Sequence, residues 1–138
     1  MKKIRNISML ILGMAVLAFS ISAMAMIGQE FALNATKDHP NAKGTAFINE
    51  GNISLQARGL KPDSVYTVWF VNKKPKKHEA GAGSAPYVFK TDANGYGQYS
   101  STIGDSPFGK WEMIMVVLHP NGDPKDMKSM VGALSAKL

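Results

Sequence analysis

Val65-Tyr66-Thr67-Val68-Trp69-Phe70-Val71 is an unbroken run of β-branched and aromatic residues, free of glycine, proline and charge. Such side chains suit a pleated strand and are restricted at χ1 in a helix, so the run reads as a strand. Lys61-Pro62-Asp63-Ser64 precedes it, a turn with proline at a preset φ. Further along, Trp111 to Leu118 is apolar on both faces after Glu112, as a central strand would be. Toward the N-terminus, Ile53, Leu55 and Ala57 alternate with Ser54, Gln56 and Arg58, which predicts one buried face and one wet face. Glu50-Gly51-Asn52 and Asn94-Gly95 are hairpin signals, because glycine and asparagine tolerate positive φ. Strands are expected near 29–36, 43–49, 52–58, 65–72, 86–91, 96–103, 110–118 and 128–137, with no helical period between them. The fold class is therefore all-β: an antiparallel Greek-key sandwich, immunoglobulin-like or related, of about eight short strands. Trp69 and Trp111 are expected to anchor its core.

Strand parity orders the loops. If consecutive strands alternate in direction, loops 37–42, 59–64, 92–95 and 119–127 share one end of the sandwich. Loops 50–51, 73–85 and 104–109 share the other.

Ahead of this pattern, Lys2, Lys3 and Arg5 precede an apolar run from Ile7 to Ile21 and then Ala23-Met24-Ala25. A basic n-region, an apolar h-region and an A-x-A site predict a signal peptide over residues 1–25 and a single β-sandwich domain over 26–138. A retained membrane anchor is the alternative, although about 15 apolar residues fall short of the roughly 20 that span a bilayer. The expected address is periplasmic or secreted, with no transmembrane span once the segment is cleaved. Removing Lys2, Lys3 and Arg5 takes the net charge from +6 to +3, too weak a balance for a nucleic-acid footprint. The chain has no cysteine, which excludes disulfides, thiol catalysis and thiolate metal sites.

Gly59-Leu60-Lys61-Pro62, Tyr66-Thr67-Val68-Trp69, Asp92-Ala93-Asn94-Gly95, Val116-Val117-Leu118-His119-Pro120-Asn121-Gly122 and Val131-Gly132-Ala133-Leu134 follow one another in order. Together they resemble the extracytoplasmic β-sandwich domain of anti-sigma-K factors and its free-standing exported relatives. The family's G-L-x-P, Y-x-V-W and D-x-x-G elements are matched. Its glutamate before proline is His119 here, and its second glycine is Asp123. The resemblance implies the sandwich fold. In this chain the expected signal peptide leads directly into the sandwich, so sigma-factor inhibition is not expected to carry over.

Two candidate sites stand out. Lys73-Lys74-Pro75-Lys76-Lys77-His78 is the densest charge after the N-terminal segment. Lys73, Lys74, Lys76, Lys77 and His78 would attract an acidic surface polymer or an acidic protein partner. The plainer reading is a solvated loop that guards a strand edge. At the other end, His39 and His119 each open a His-Pro-Asn tripeptide, with Asp123, Met127 and Met130 close behind His119. Imidazole with thioether suits copper, and imidazole with carboxylate suits zinc. The plainer reading is turn chemistry used twice, with Met113 and Met115 as core filler. Asp92-Ala93-Asn94-Gly95-Tyr96-Gly97 begins like a calcium loop, but position twelve is Ile103 where the pattern needs glutamate. No G-x-S-x-G, H-E-x-x-H or phosphate-cradling loop is present, so the expectation is a binding module and not an enzyme, with no cofactor unless copper or zinc is bound.

Overall fold

The structure, a computed structural model, describes residues 28–138. The segment read as a signal peptide, and its alternative as an anchor, lie outside the described residues. Nine strands follow in order: β1 (Gln29–Ala35), β2 (Lys43–Asn49), β3 (Asn52–Arg58), β4 (Val65–Asn72), β5 (His78–Gly81), β6 (Val88–Lys90), β7 (Gly97–Thr102), β8 (Met113–His119) and β9 (Val131–Lys137). Every pairing is antiparallel. The fold is all-β and sandwich-like, as the alternation predicts.

One curled sheet makes both layers, in the order β5-β4-β8-β9-β1-β2-β3-β7, with β6 also on β4. β1 joins the layers because it changes partner midway. Gln29 to Leu33 pair with β2, and Asn34 and Ala35 pair with β9. The returns of β7 to β3 and of β8 to β4 are long-range, Greek-key-like connections. The opposite seam, between β7 and the β5–β6 edge, is bridged by side chains. Tyr99 Oη–H donates to the Ala82 carbonyl at 2.7 Å, and the Ser84 N–H donates to Ser101 Oγ at 2.8 Å. Gly83 between them has φ 121°, and a Cβ there would overlap Ser101. Only glycine lets the backbone approach this closely.

The core lies between the layers: Ile48, Ile53 and Leu55 from one, and Tyr66, Val68, Ile114, Val116 and Leu134 from the other. β3 alternates as its sequence predicts, with Ile53, Leu55 and Ala57 buried and Ser54, Gln56 and Arg58 exposed. β8 is the central strand expected, flanked by β4 and β9, with a bulge at Val116/Val117.

Two expectations are corrected. A ninth strand, β5, lies within the segment read as loop 73–85, and it pairs with Trp69 to Asn72. His-Glu-Ala-Gly carries no β signal of its own; the edge of β4 imposes the conformation. The second correction concerns the tryptophans. Tyr66, Val68 and Phe70 take the inner face of β4, so the two-residue period sends Trp69 outward. Trp69 packs at 5.2 Å on Tyr87 instead, and half-buried Trp111 stacks at the core margin on Phe70 at 6.4 Å. Tyr66, fully buried, is the aromatic anchor.

Candidate functional site

Strand directions alternate along the chain when β5 and β6 count as two parts of one strand, since both run antiparallel to β4. The loops 37–42, 59–64, 92–95 and 119–127 consequently gather at one end. Loop 59–64 is stitched there to the segment around 92–95: Leu60 N–H to Gly95 O at 3.1 Å, Asp63 N–H to Asp92 O at 3.0 Å, and Thr91 N–H to Ser64 O at 2.9 Å. The lysine-rich connection lies at the far end.

Both His-Pro-Asn tripeptides form the same turn. The His39 carbonyl accepts the Ala42 N–H at 3.0 Å, and the His119 carbonyl accepts the Gly122 N–H at 2.9 Å. Proline occupies the second position, where its fixed φ is already correct. The rings then diverge. His39 Nε2 lies 3.1 Å from the Tyr66 hydroxyl, whose oxygen accepts the Lys61 N–H at 2.9 Å. That leaves the hydroxyl proton for Nε2, so the ring's own proton is on Nδ1. His39 Nδ1 is buried and has no hydrogen-bond partner among the described residues. Burial, and to a lesser extent the charge of Lys61, push the His39 imidazole below its ordinary 6.5, with Asp38 opposing.

His119 is 1% exposed and uses both nitrogens. Nδ1 lies 3.2 Å from the Asp126 carbonyl, which can only accept, so Nδ1 carries a proton. Nε2 lies 2.7 Å from Thr67 Oγ1, and that oxygen accepts the Trp69 indole N–H at 2.7 Å. A relay runs from Trp69 N–H to Thr67, from the Thr67 O–H to His119 Nε2, and from His119 Nδ1–H to Asp126. Every donor has an acceptor.

This geometry does not assemble the alternative metal site considered at His39 and His119. Tyr66 and Thr67 are successive residues of β4, so their side chains, and the imidazoles bound to them, lie on opposite faces of the sheet. In each ring Nε2 faces a hydroxyl whose proton it accepts, which occupies the lone pair a metal would need. Asp123 is exposed, and its Oδ1 accepts the Lys125 N–H at 2.9 Å. Met127 is exposed and Met130 half-buried. Among the described residues, no group of three or more His, Cys, Asp or Glu is arranged to hold a metal ion. The calcium-like stretch is likewise a hairpin: Asp92 Oδ1 accepts the N–H groups of Asn94 at 2.8 Å and Tyr96 at 3.0 Å.

At the far end, Lys73, Lys74, Lys76 and Lys77 form the exposed tip of the β4–β5 hairpin. His78 belongs to β5, opposite Asn72, and stands below the tip instead of on it. The hairpin's base is fixed. Lys73 N–H donates to Glu112 Oε1 at 2.6 Å, Glu112 N–H to Asn72 Oδ1 at 2.7 Å, and Asn72 Nδ2 to the Lys110 carbonyl at 3.0 Å. None of the four ammonium groups meets a carboxylate. The single ion pair among the described residues joins Lys110 to Asp105 at 3.7 Å.

Sequence reasoning did not find Tyr66 and Thr67 as partners of the two histidines. Their pairing spans 27 and 52 residues, and only the register of β4 against β8 and the loop packing set it. No protein-family model, no curated protein and no solved structure matches this chain.

Proposed function

We propose that residues 26–138 are an exported, non-enzymatic binding module that contacts an acidic partner or cell-surface component through the lysine-bearing hairpin. The observation that carries this reading is the concentration of four unneutralised ammonium groups on a hairpin whose base is held by Glu112 and Asn72. A fixed base presents the charges together, and unpaired cations attract phosphate or carboxylate groups at long range. The basic and apolar N-terminal segment and the resemblance to exported sandwich domains support the address. The test is adsorption to lipopolysaccharide vesicles across a salt series, with wild type beside a variant carrying Lys→Gln at 73, 74, 76 and 77. Salt-sensitive binding that the four changes abolish is the expected result. Equal adsorption by both proteins removes the hairpin from the function.

A further inference from the structure

The outer face of the β7-β3-β2-β1 layer is wet, and register arranges its side chains in rows. Thr45 lies opposite Gln56, and Gln56 opposite Gln98; Phe47 lies opposite Ser54, and Ser54 opposite Ser100. Two open grooves, of about 490 and 540 Å³, adjoin along this face and share Thr45 and Gln56. Tyr96 lines the first. Its hydroxyl accepts a hydrogen bond from Gln98 Nε2 at 2.6 Å and donates to Gln56 Oε1 at 3.2 Å.

The head of the first groove holds an electrostatic conflict. Lys43 stands directly opposite Arg58 across the β2–β3 ladder, and both are exposed. Like charges at directly opposed positions destabilise a sheet. Neither cation meets a carboxylate; the ion pair of the described residues is elsewhere. Glu30 lines only the second groove. An anion seated between Lys43 and Arg58 would relieve the repulsion, and a guanidinium binds a carboxylate in a two-pronged geometry. Beyond the pair, Gln56, Gln98 and Thr45 offer donors and acceptors together, which is what vicinal hydroxyls require. The ring of Tyr96 supplies an apolar surface for the C–H face of a sugar.

We propose that this face binds an acidic polysaccharide. The sugar carboxylate sits at Lys43 and Arg58, and the hydroxylated chain runs along Gln56 and Gln98 past Tyr96. The inference rests on the exported-module reading for where the polymer is met, but it names the polymer class and places the binding surface away from the lysine hairpin.

The experiment measures binding of polygalacturonate, a linear uronic-acid polymer, to the protein purified from the cell envelope. Three proteins are compared: wild type, K43Q/R58Q, and the hairpin variant with Lys→Gln at 73, 74, 76 and 77. Polyglutamate and dextran serve as a non-sugar anion and an uncharged glycan. The expected result is polygalacturonate binding that falls at least about tenfold in K43Q/R58Q, as when one charge-assisted hydrogen bond is removed, and is retained in the hairpin variant. K43Q/R58Q should melt no lower than wild type without polymer, because a repulsion has been removed. No polygalacturonate binding by wild type overturns the proposal. Loss confined to the hairpin variant also overturns it, while leaving the hairpin reading intact. Polyglutamate bound as tightly, and lost in the same K43Q/R58Q protein, overturns the assignment to a sugar.

Discussion

His39 and His119 open the same tripeptide, form the same turn and stand at the same end of the sandwich, yet their rings live in different surroundings. His119 sits on the outer face of β4 in a relay where each donor finds an acceptor. His39 sits against the inner face with one buried nitrogen unpartnered. The difference shows how little a local motif says about a side chain's chemistry. Backbone turn geometry is set by four neighbouring residues, whereas a ring's hydrogen bonds depend on which face of a distant strand it meets. An orphaned buried donor costs free energy that a completed network avoids, so the two sites should respond differently to perturbation.

The largest expected effect comes from removing the anchor shared by the core and the His39 site. Tyr66→Ala should lower stability by about 3–5 kcal/mol in urea unfolding, the usual cost of truncating a buried aromatic. Trp69→Ala should cost clearly less, because the indole packs on the partly exposed outer face; an equal loss would contradict that placement. Next, Thr67→Val removes the partner of both the half-buried Trp69 N–H and the buried His119 Nε2, for a loss of about 1–3 kcal/mol. Tyr66→Phe similarly strands the Lys61 N–H beside His39, and about 1–3 kcal/mol is expected.

Double-variant cycles sharpen the contrast. Thr67→Val and His119→Leu share one network and should be non-additive by about 0.5–3 kcal/mol. Thr67→Val and Tyr66→Phe act on opposite faces and should add to within about 0.5 kcal/mol, despite being adjacent in sequence. Coupling of the second pair as strong as that of the first would show that the faces communicate.

The smallest effect is the pH dependence of His39. Burial lowers its affinity for protons in the folded state, so the unfolded chain is protonated first as pH falls. Its contribution to stability is complete above 6.5 and is lost as pH falls from there through the lower folded-state value. His39→Gln should flatten that limb of the stability curve while leaving a later acid limb below 3.8. There Asp126, held down chiefly by the Lys128 N–H, is protonated and its contribution lost.

The run from Val65 to Val71 made its strand legible, because β-branched and aromatic side chains state a preference without help from their neighbours. The alternation in β3 made its buried face legible for the same local reason. β5 was not legible: four residues with no intrinsic preference became a strand because β4 presented an unpaired edge. Trp69 was misplaced by size alone. Its parity with Tyr66, Val68 and Phe70 held the answer, but a run apolar on both faces does not say which set points inward. The lysine hairpin was readable as charge, and the Lys43–Arg58 pair was not, since two cations 15 positions apart become neighbours only through the β2–β3 register.

By itself the sequence determined an all-β domain, its principal strand positions and the turns between them, since each follows from residues in contact along the chain. Tertiary structure alone decided which face of the doubly apolar β4 is buried, that two identical turns place their imidazoles on opposite sides of that strand, and that Lys43 and Arg58 confront each other above a polar groove. Those relations depend on register and on strand direction. A shift of one residue would exchange the buried and wet faces and separate Lys43 from Arg58, and no local preference records which register the packed sheet takes.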